Sequence, residues 1–212
     1  MRHFLQAVIC CFVFSLNLSG QADPEALKIL DKFSDIAMKA PSVSMKFRLI
    51  TNNQAENKID TASGTVVISK DKYRLELPTN IIWYDGTTSW SYLPAEKEVT
   101  ITKADKKDNS FQSKPSRIFT MYKKDYKCRL IDETSSSYIV DLYPVDIKSD
   151  MLRVRLTIGK TLYNLISLEY KRRDGVIATI KVQDYNLKMV PQPDLFTFKS
   201  DKYKDAEIVD MR

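Results

Sequence analysis

The chain has 212 residues, a formal charge of +6, one histidine and three cysteines. That length suits one substantial core and is short for two ordinary domains. The only histidine is His3, inside a leader-like start, so Ser–His and Cys–His nucleophiles and imidazole-ligated zinc have no residue to work with in the rest of the chain.

Met1-Arg2-His3 is basic, Phe4 to Leu18 is mostly apolar, and Ser19-Gly20-Gln21-Ala22 is small and polar. That is the layout of a secretory signal peptide over residues 1–22, cleaved near Ala22. Its apolar run is shorter than the roughly 20 residues a membrane span needs. Cys10 and Cys11 lie inside that run, and no small residue directly precedes Cys10, where a lipoprotein signal would place its acceptor. Cleavage leaves Cys128 alone, and with it no internal disulfide. A secreted chain of that kind suits a bacterial periplasm. Without a base, Cys128 reads as an apolar filler. Losing Arg2 leaves a charge of about +5. The remaining basic residues alternate with acids, as in "KADKKD" and "YKRRDG". They form a solvated surface, or one that docks on an anionic membrane or acidic partner, and no concentrated patch for nucleic acid.

Residues 23–41 predict a helix: Asp23 can cap it, Pro24 fits the first position and Pro41 stops it. Ala26, Ile29, Leu30, Phe33, Ile36 and Ala37 share one face. After it, apolar residues recur with period two. Val43, Met45, Phe47 and Leu49 oppose Ser44, Lys46 and Arg48; Val66 and Ile68, then Tyr73, Leu75 and Leu77, follow the same rule. Asp85-Gly86 sits between two strands and is a hairpin signal. "KADKKDNSFQSKP" reads as a loop, and "SRIFTMYKK" as a short second helix or turn. Leu152, Val154, Leu156 and Ile158, then Ile166, Leu168 and Tyr170, continue the alternation, with Asp174-Gly175 as a second hairpin. The expected fold is mainly β: about ten to eleven antiparallel strands in one sheet with one wet and one dry face. A sheet that wide must curl, and two helical pieces cannot fill its concave side. An unclosed half-barrel with a helical lid and a hydrophobic cavity between them follows, as a single domain over residues 23–212.

The order of helix, strand, "SGTVVISKDKYRLEL", "IIWYDGTTSWSYLPAEKEVTI" and "PDLFTF" resembles the LolA family of periplasmic outer-membrane lipoprotein carriers. The most specific part is Asp85-Gly86 followed by Trp90, Tyr92 and Pro94. Gly64 before it, and Leu195-Phe196-Thr197-Phe198 after it, fall in the family's order. The resemblance implies an unclosed barrel with a lid over an acyl-binding cavity, no enzymatic activity and no cofactor. It implies a shuttle between an inner-membrane ATP-driven lipoprotein-releasing transporter and an outer-membrane acceptor, with acylated lipoproteins as cargo. Family members carry an arginine, then a proline, after the glycine-led strand, and the arginine reaches lid carbonyls. Here the stretch is "SKDKY", so Lys70, or Ser69 beside it, stands at the latch position. A lysine lacks the planar fork of arginine.

The expected cavity lining is Met45, Phe47, Leu49, Val66, Ile68, Tyr73, Leu75, Trp83, Trp90 and Tyr92. The lid candidates are Ile29, Leu30, Phe33 and Ile36, with Phe119 and Met121 from the second short segment. A monomer is expected, with no metal. A periplasmic lipid-binding sensor or regulator on the same scaffold is the alternative; a chain of one domain, without a signalling module, favours the carrier. A second rival is an enzyme using two carboxylates, such as a glycosidase, but acids such as Asp141 and Asp146 mostly lie in charge-alternating strands or loops.

Overall fold

The computed structural model describes residues 23–103 and 114–212, so the expected signal peptide and most of the "KADKKDNSFQSKP" loop lie outside the described residues. The helix α1 runs over Pro24–Lys39. The first strands are β1 (Val43–Asn53), β2 (Lys58–Ser69), β3 (Lys72–Glu76), β4 (Ile81–Tyr84), β5 (Thr88–Leu93) and β6 (Glu98–Lys103). Two 3-10 turns, Pro115–Phe119 and Met121–Lys123, stand where a second helix or turn is expected. Then come β7 (Tyr126–Glu133), β8 (Ser137–Pro144), β9 (Met151–Gly159), β10 (Leu165–Arg172), β11 (Val176–Asn186) and β12 (Glu207–Asp210).

All twelve strands form one sheet, in the order β12-β6-β5-β4-β3-β2-β1-β11-β10-β9-β8-β7. The two edges do not pair with each other, so the half-barrel is unclosed. Every neighbouring pair is antiparallel except β12 with β6, which is parallel. That last strand takes the total past the expected ten to eleven. Two meanders, β1 to β6 and β7 to β11, are joined where β1 pairs β11, from Ser44 opposite Asn186 to Asn53 opposite Val176.

Local chemistry explains the elements. Asp23 Oδ1 accepts from the backbone N–H of Glu25 at 2.9 Å and Ala26 at 3.3 Å, so it is the helix cap. Ala40 is already extended before Pro41, as a residue preceding proline must be. In the β4–β5 hairpin Gly86 adopts φ +102°, and Asp85 Oδ1 accepts from the amides of Thr87 and Thr88, both at 2.8 Å. Gly175, at φ +84°, turns β10 into β11. A tight approach explains Gly64. A Cβ there would lie 2.7 Å from Phe47 Cζ and 2.8 Å from the Glu76 carbonyl oxygen.

The main core fills the concave side beneath α1. Ala26, Ile29, Leu30, Phe33 and Ala37 are buried against strand residues that include Val140, Leu142, Val154, Leu156 and Ile158. Phe119 packs on Phe33 with ring centroids 5.3 Å apart, and Tyr122 donates its hydroxyl to Asp31, so helix and 3-10 turns form one cap. Burial, then the bond to the Asp31 carboxylate, pushes the Tyr122 phenol well above its usual range. Cys128 is buried in this core, and burial pushes its thiol up.

Three placements differ from the sequence reading. Ile36 is only half-buried and lies outside the main cluster, while Ser34 takes a buried place on the helix. Ile166 points outward and Leu165 inward, because the register of β9 and β10 shifts between Leu165 and Ser167. Such a bulge moves the period-two pattern across the sheet. Trp83, Trp90 and Tyr92 lie on the convex face instead of the concave one. Trp83 is opposite Arg74 and Trp90, whereas Tyr84 is opposite Tyr73 on the core side. The chain after β11 covers those aromatics: Phe198 and Tyr203 each meet the Trp83 ring at 5.6 Å, and Tyr203 meets Tyr92 at 4.7 Å. The sheet therefore has a second dry patch on its outside.

Candidate functional site

Next to the helical cap, the concave face encloses an unfilled space of about 390 Å³. β1 contributes Met45, Phe47, Leu49 and Thr51 to its wall; β2 and β3 contribute Val66, Ile68 and Leu75. Leu165, Leu168, Tyr170 and Arg172 of β10 line the opposite side, with Val176, Ala178 and Ile180 of β11 between. Leu77 and, from the first 3-10 turn, Pro115 and Ile118 complete it. The alternation puts these side chains on one face because the pleat repeats every second residue.

The lining is hydrocarbon apart from Thr51, the Tyr170 phenol and the Arg172 guanidinium. Arg172 is the sole charged residue among the described residues of the wall, and its head reaches Asp174 at 2.7 Å. Burial pushes the Tyr170 phenol far up, so it stays neutral. Among the described residues the wall shows no carboxylate, thiol or imidazole. Asp141 is 1% exposed but lies elsewhere, on β8, where Arg155 donates to it from Nε at 2.7 Å and from its terminal nitrogen at 2.8 Å. Asp146 accepts from the Lys148 amide in an exposed loop. Each of the two carboxylates thus has its own partner. Among the described residues no cluster of three or more histidine, cysteine, aspartate or glutamate side chains could hold a metal.

Of the expected lining, Met45, Phe47, Leu49, Val66, Ile68 and Leu75 stand in the cavity wall. Tyr73 is in the main core against Tyr84, with ring centroids 5.4 Å apart, and is not part of the wall. Trp83, Trp90 and Tyr92 are outside it, on the convex face. Of the expected lid, Ile29, Leu30, Phe33, Phe119 and Met121 are buried in the main core, and Pro115 and Ile118 are the cap residues that face the space. Sequence reasoning missed the β10 and β11 contributions. The alternation of β10 was legible at Leu168 and Tyr170, but the place of both strands beside β1 depends on a pairing more than a hundred residues away in the chain.

At the latch position the shorter side chain makes the bond. Ser69 Oγ donates to the carbonyl oxygen of Pro41, just past α1, at 2.8 Å. Lys70 occupies the β2–β3 turn at φ +55°, exposed, beside Met38, Ala40 and Ser116. A short hydroxyl next to the turn thus takes the carbonyl contact.

An unclosed, largely antiparallel half-barrel around an apolar internal space defines the class of fold. The profile of a family described as outer membrane lipoprotein carrier protein LolA matches residues 16–176, and the chain belongs to that family. No curated protein matches it. Among solved structures, an uncharacterised conserved protein from Thermus thermophilus superposes with a TM-score of 0.59 at 14% identity, over 88% of this chain and 99% of that one. A putative outer membrane lipoprotein-sorting protein domain from Vibrio parahaemolyticus gives 0.45 at 10% identity, over 85% and 98%. A LolA superfamily protein from Nitrosomonas europaea gives 0.43 at 15% identity, over 82% and 97%. No helix of the described residues is long and apolar enough to cross a membrane.

Proposed function

We propose that this protein is a periplasmic carrier that holds the acyl part of lipoproteins released from the inner membrane and delivers it to the outer membrane. The observation that carries the reading is an unfilled, largely apolar space of about 390 Å³ beside the buried core. A cavity of about 150 Å³ holds benzene, or about 25 Å³ per carbon. By that measure the space takes about sixteen carbons, one long acyl chain. Burying each CH₂ contributes about 0.8 kcal/mol. A further chain needs Pro115 and Ile118 to move off the sheet. Opening that cap offsets part of the gain from burial, which keeps the cargo releasable. In this reading residues 1–22 are a cleaved signal peptide, residues 23–212 act as one monomeric, non-enzymatic domain, and the partners are an ATP-driven inner-membrane transporter and an outer-membrane acceptor.

The test is release from membranes. The cell-processed protein is added to inner membranes energised with ATP, and the soluble fraction is examined by intact-complex mass spectrometry. A one-to-one complex with an acylated lipoprotein is expected. Recovery of the protein with free lipid only, or with nothing, would overturn the carrier reading.

A further inference from the structure

The cavity wall ends, at one edge, on Thr51 near the end of β1, Arg172 at the end of β10 and Val176 at the start of β11. The same end of the sheet carries the β10–β11 turn, the loop 145–150 between β8 and β9, and the chain entering β7. Loop 145–150 is held firmly. Arg173 reaches it from the β10–β11 turn: its Nε donates to the Ser149 carbonyl, its terminal nitrogen to the Ile147 carbonyl and its backbone N–H to the Asp150 carbonyl, each at 2.8 Å. The Val145 N–H donates to the Asp125 carbonyl at 2.9 Å, and Asp146 Oδ1 accepts from the Lys148 N–H at 2.8 Å. Yet this fixed loop leaves Ile147 83% exposed and Val145 53% exposed. A well-anchored loop that holds its two large apolar side chains in water is built for a surface that is not water.

Charge says which surface. Arg173 directs its guanidinium at neutral carbonyl oxygens, so its charge is not cancelled by a carboxylate. Lys124, Lys148 and Lys171 form no ion pair among the described residues, and Lys123 sits over the Tyr122 ring. On the acidic side, Asp125 is paired with Arg117 and Asp174 with Arg172, leaving Asp146, Asp150 and, in the adjoining β1–β2 turn, Glu56. Cations without partners therefore outnumber such acids around the apolar tip. We propose that this end of the molecule docks on an anionic lipid bilayer, with Ile147 and Val145 in the interface and the cavity edge at Arg172 turned to the membrane. Apolar side chains flanked by basic ones bind such an interface through burial and attraction to the anionic headgroups together. A ligand chain could then pass between bilayer and cavity with a short path through water. The inference goes beyond the carrier reading and does not depend on which lipid or lipoprotein is carried.

Flotation of the cell-processed protein with vesicles of phosphatidylglycerol and phosphatidylethanolamine tests it, with phosphatidylcholine vesicles as the neutral comparison. The protein should float with the anionic vesicles and little with the neutral ones, and the difference should shrink at high salt. Ile147→Ser should weaken flotation about tenfold, and Lys148→Glu several-fold at low salt. Leu162→Ser, also apolar and exposed but on the β9–β10 turn at the opposite end, should leave it unchanged. Ala178→Trp, which fills more than half of the cavity, should weaken long-chain binding over a hundredfold and keep flotation, which separates docking from cargo capture. Flotation lost with Ala178→Trp, unchanged by Ile147→Ser, or equally reduced by Leu162→Ser would overturn the proposal. So would a tip that binds a protein partner and no vesicle.

Discussion

Replacing Ala178 by tryptophan changes the cavity volume from a position outside the buried core cluster. Ala178 lies on β11 between Thr51 of β1 and Tyr170 of β10, with its side chain in the cavity wall. Tryptophan adds about nine non-hydrogen atoms, or about 225 Å³ at about 25 Å³ per atom. That is more than half of the space of about 390 Å³. Room for about seven carbons remains, so about nine methylenes of a long chain lose their burial. At about 0.8 kcal/mol each the ceiling is about 7 kcal/mol. Partial displacement of Pro115 and Ile118 recovers some of it, so a loss of at least about 3 kcal/mol, over a hundredfold, is expected. The assay is titration calorimetry with single-chain lipids of increasing length. Affinity of the unaltered protein should rise with length and level off near about sixteen carbons. The variant should level off near about seven. Levelling off at the same length in both proteins would refute the assignment of this space to the chain.

Four further outcomes follow from named contacts. Phe47→Glu places a carboxylate in the cavity wall and should abolish chain binding, whereas Trp90→Glu lies on the convex face and should not; titration with the same lipids separates them, and equal losses would put Trp90 in the wall. Gly64→Ala should lower stability by about 1–3 kcal/mol in denaturant unfolding, because the Glu76 carbonyl 2.8 Å from the new Cβ is backbone and cannot step aside. Ser69→Ala should cost about 1 kcal/mol by losing the bond to the Pro41 carbonyl, and should speed chain entry in stopped-flow mixing, while Lys70→Ala should change neither. Asp23 gives a pH signature. The Leu130 N–H, 3.0 Å from its Oδ2, then the first amides of α1, hold its carboxyl below the ordinary 3.8. A depressed folded-state value means that this stabilisation is full above about 3.8 and fades as pH falls through the lower value. Asp23→Asn should therefore be less stable than the parent at neutral pH, with the gap closing in acid; a gap independent of pH would refute the charge contribution.

Both tryptophans show where reading the sequence stops. Their spacing correctly set Trp90 and Tyr92 on one face of β5, and Asp85-Gly86 correctly set the hairpin before them. Which face that is was not local information. Residues 187–206 have no periodicity to announce that they cross the outside of the sheet, so Phe198 and Tyr203 could not be assigned to Trp83. Leu165 shows the same limit at smaller scale, since a single-residue bulge exchanged its place with that of Ile166.

By itself the sequence determined the helix from its cap, its apolar stripe and its proline stop, the strands from their alternation, and two hairpins from their Asp-Gly turns. These are contests among neighbours in the chain, decided by backbone geometry and side-chain spacing. Residue counts likewise showed, without any coordinates, that residues 4–212 hold no imidazole. Only the tertiary structure decided that β1 pairs β11, which brings Leu168, Tyr170 and Ala178 into one wall with Phe47, and that Pro115 and Ile118 instead of α1 face the space. It alone showed that Ser69 bonds beyond the helix and that Arg173 holds Ile147 out into water. Each of these joins residues far apart in the chain. Their pairing depends on how much apolar surface the whole sheet can bury at once, a quantity no local pattern contains.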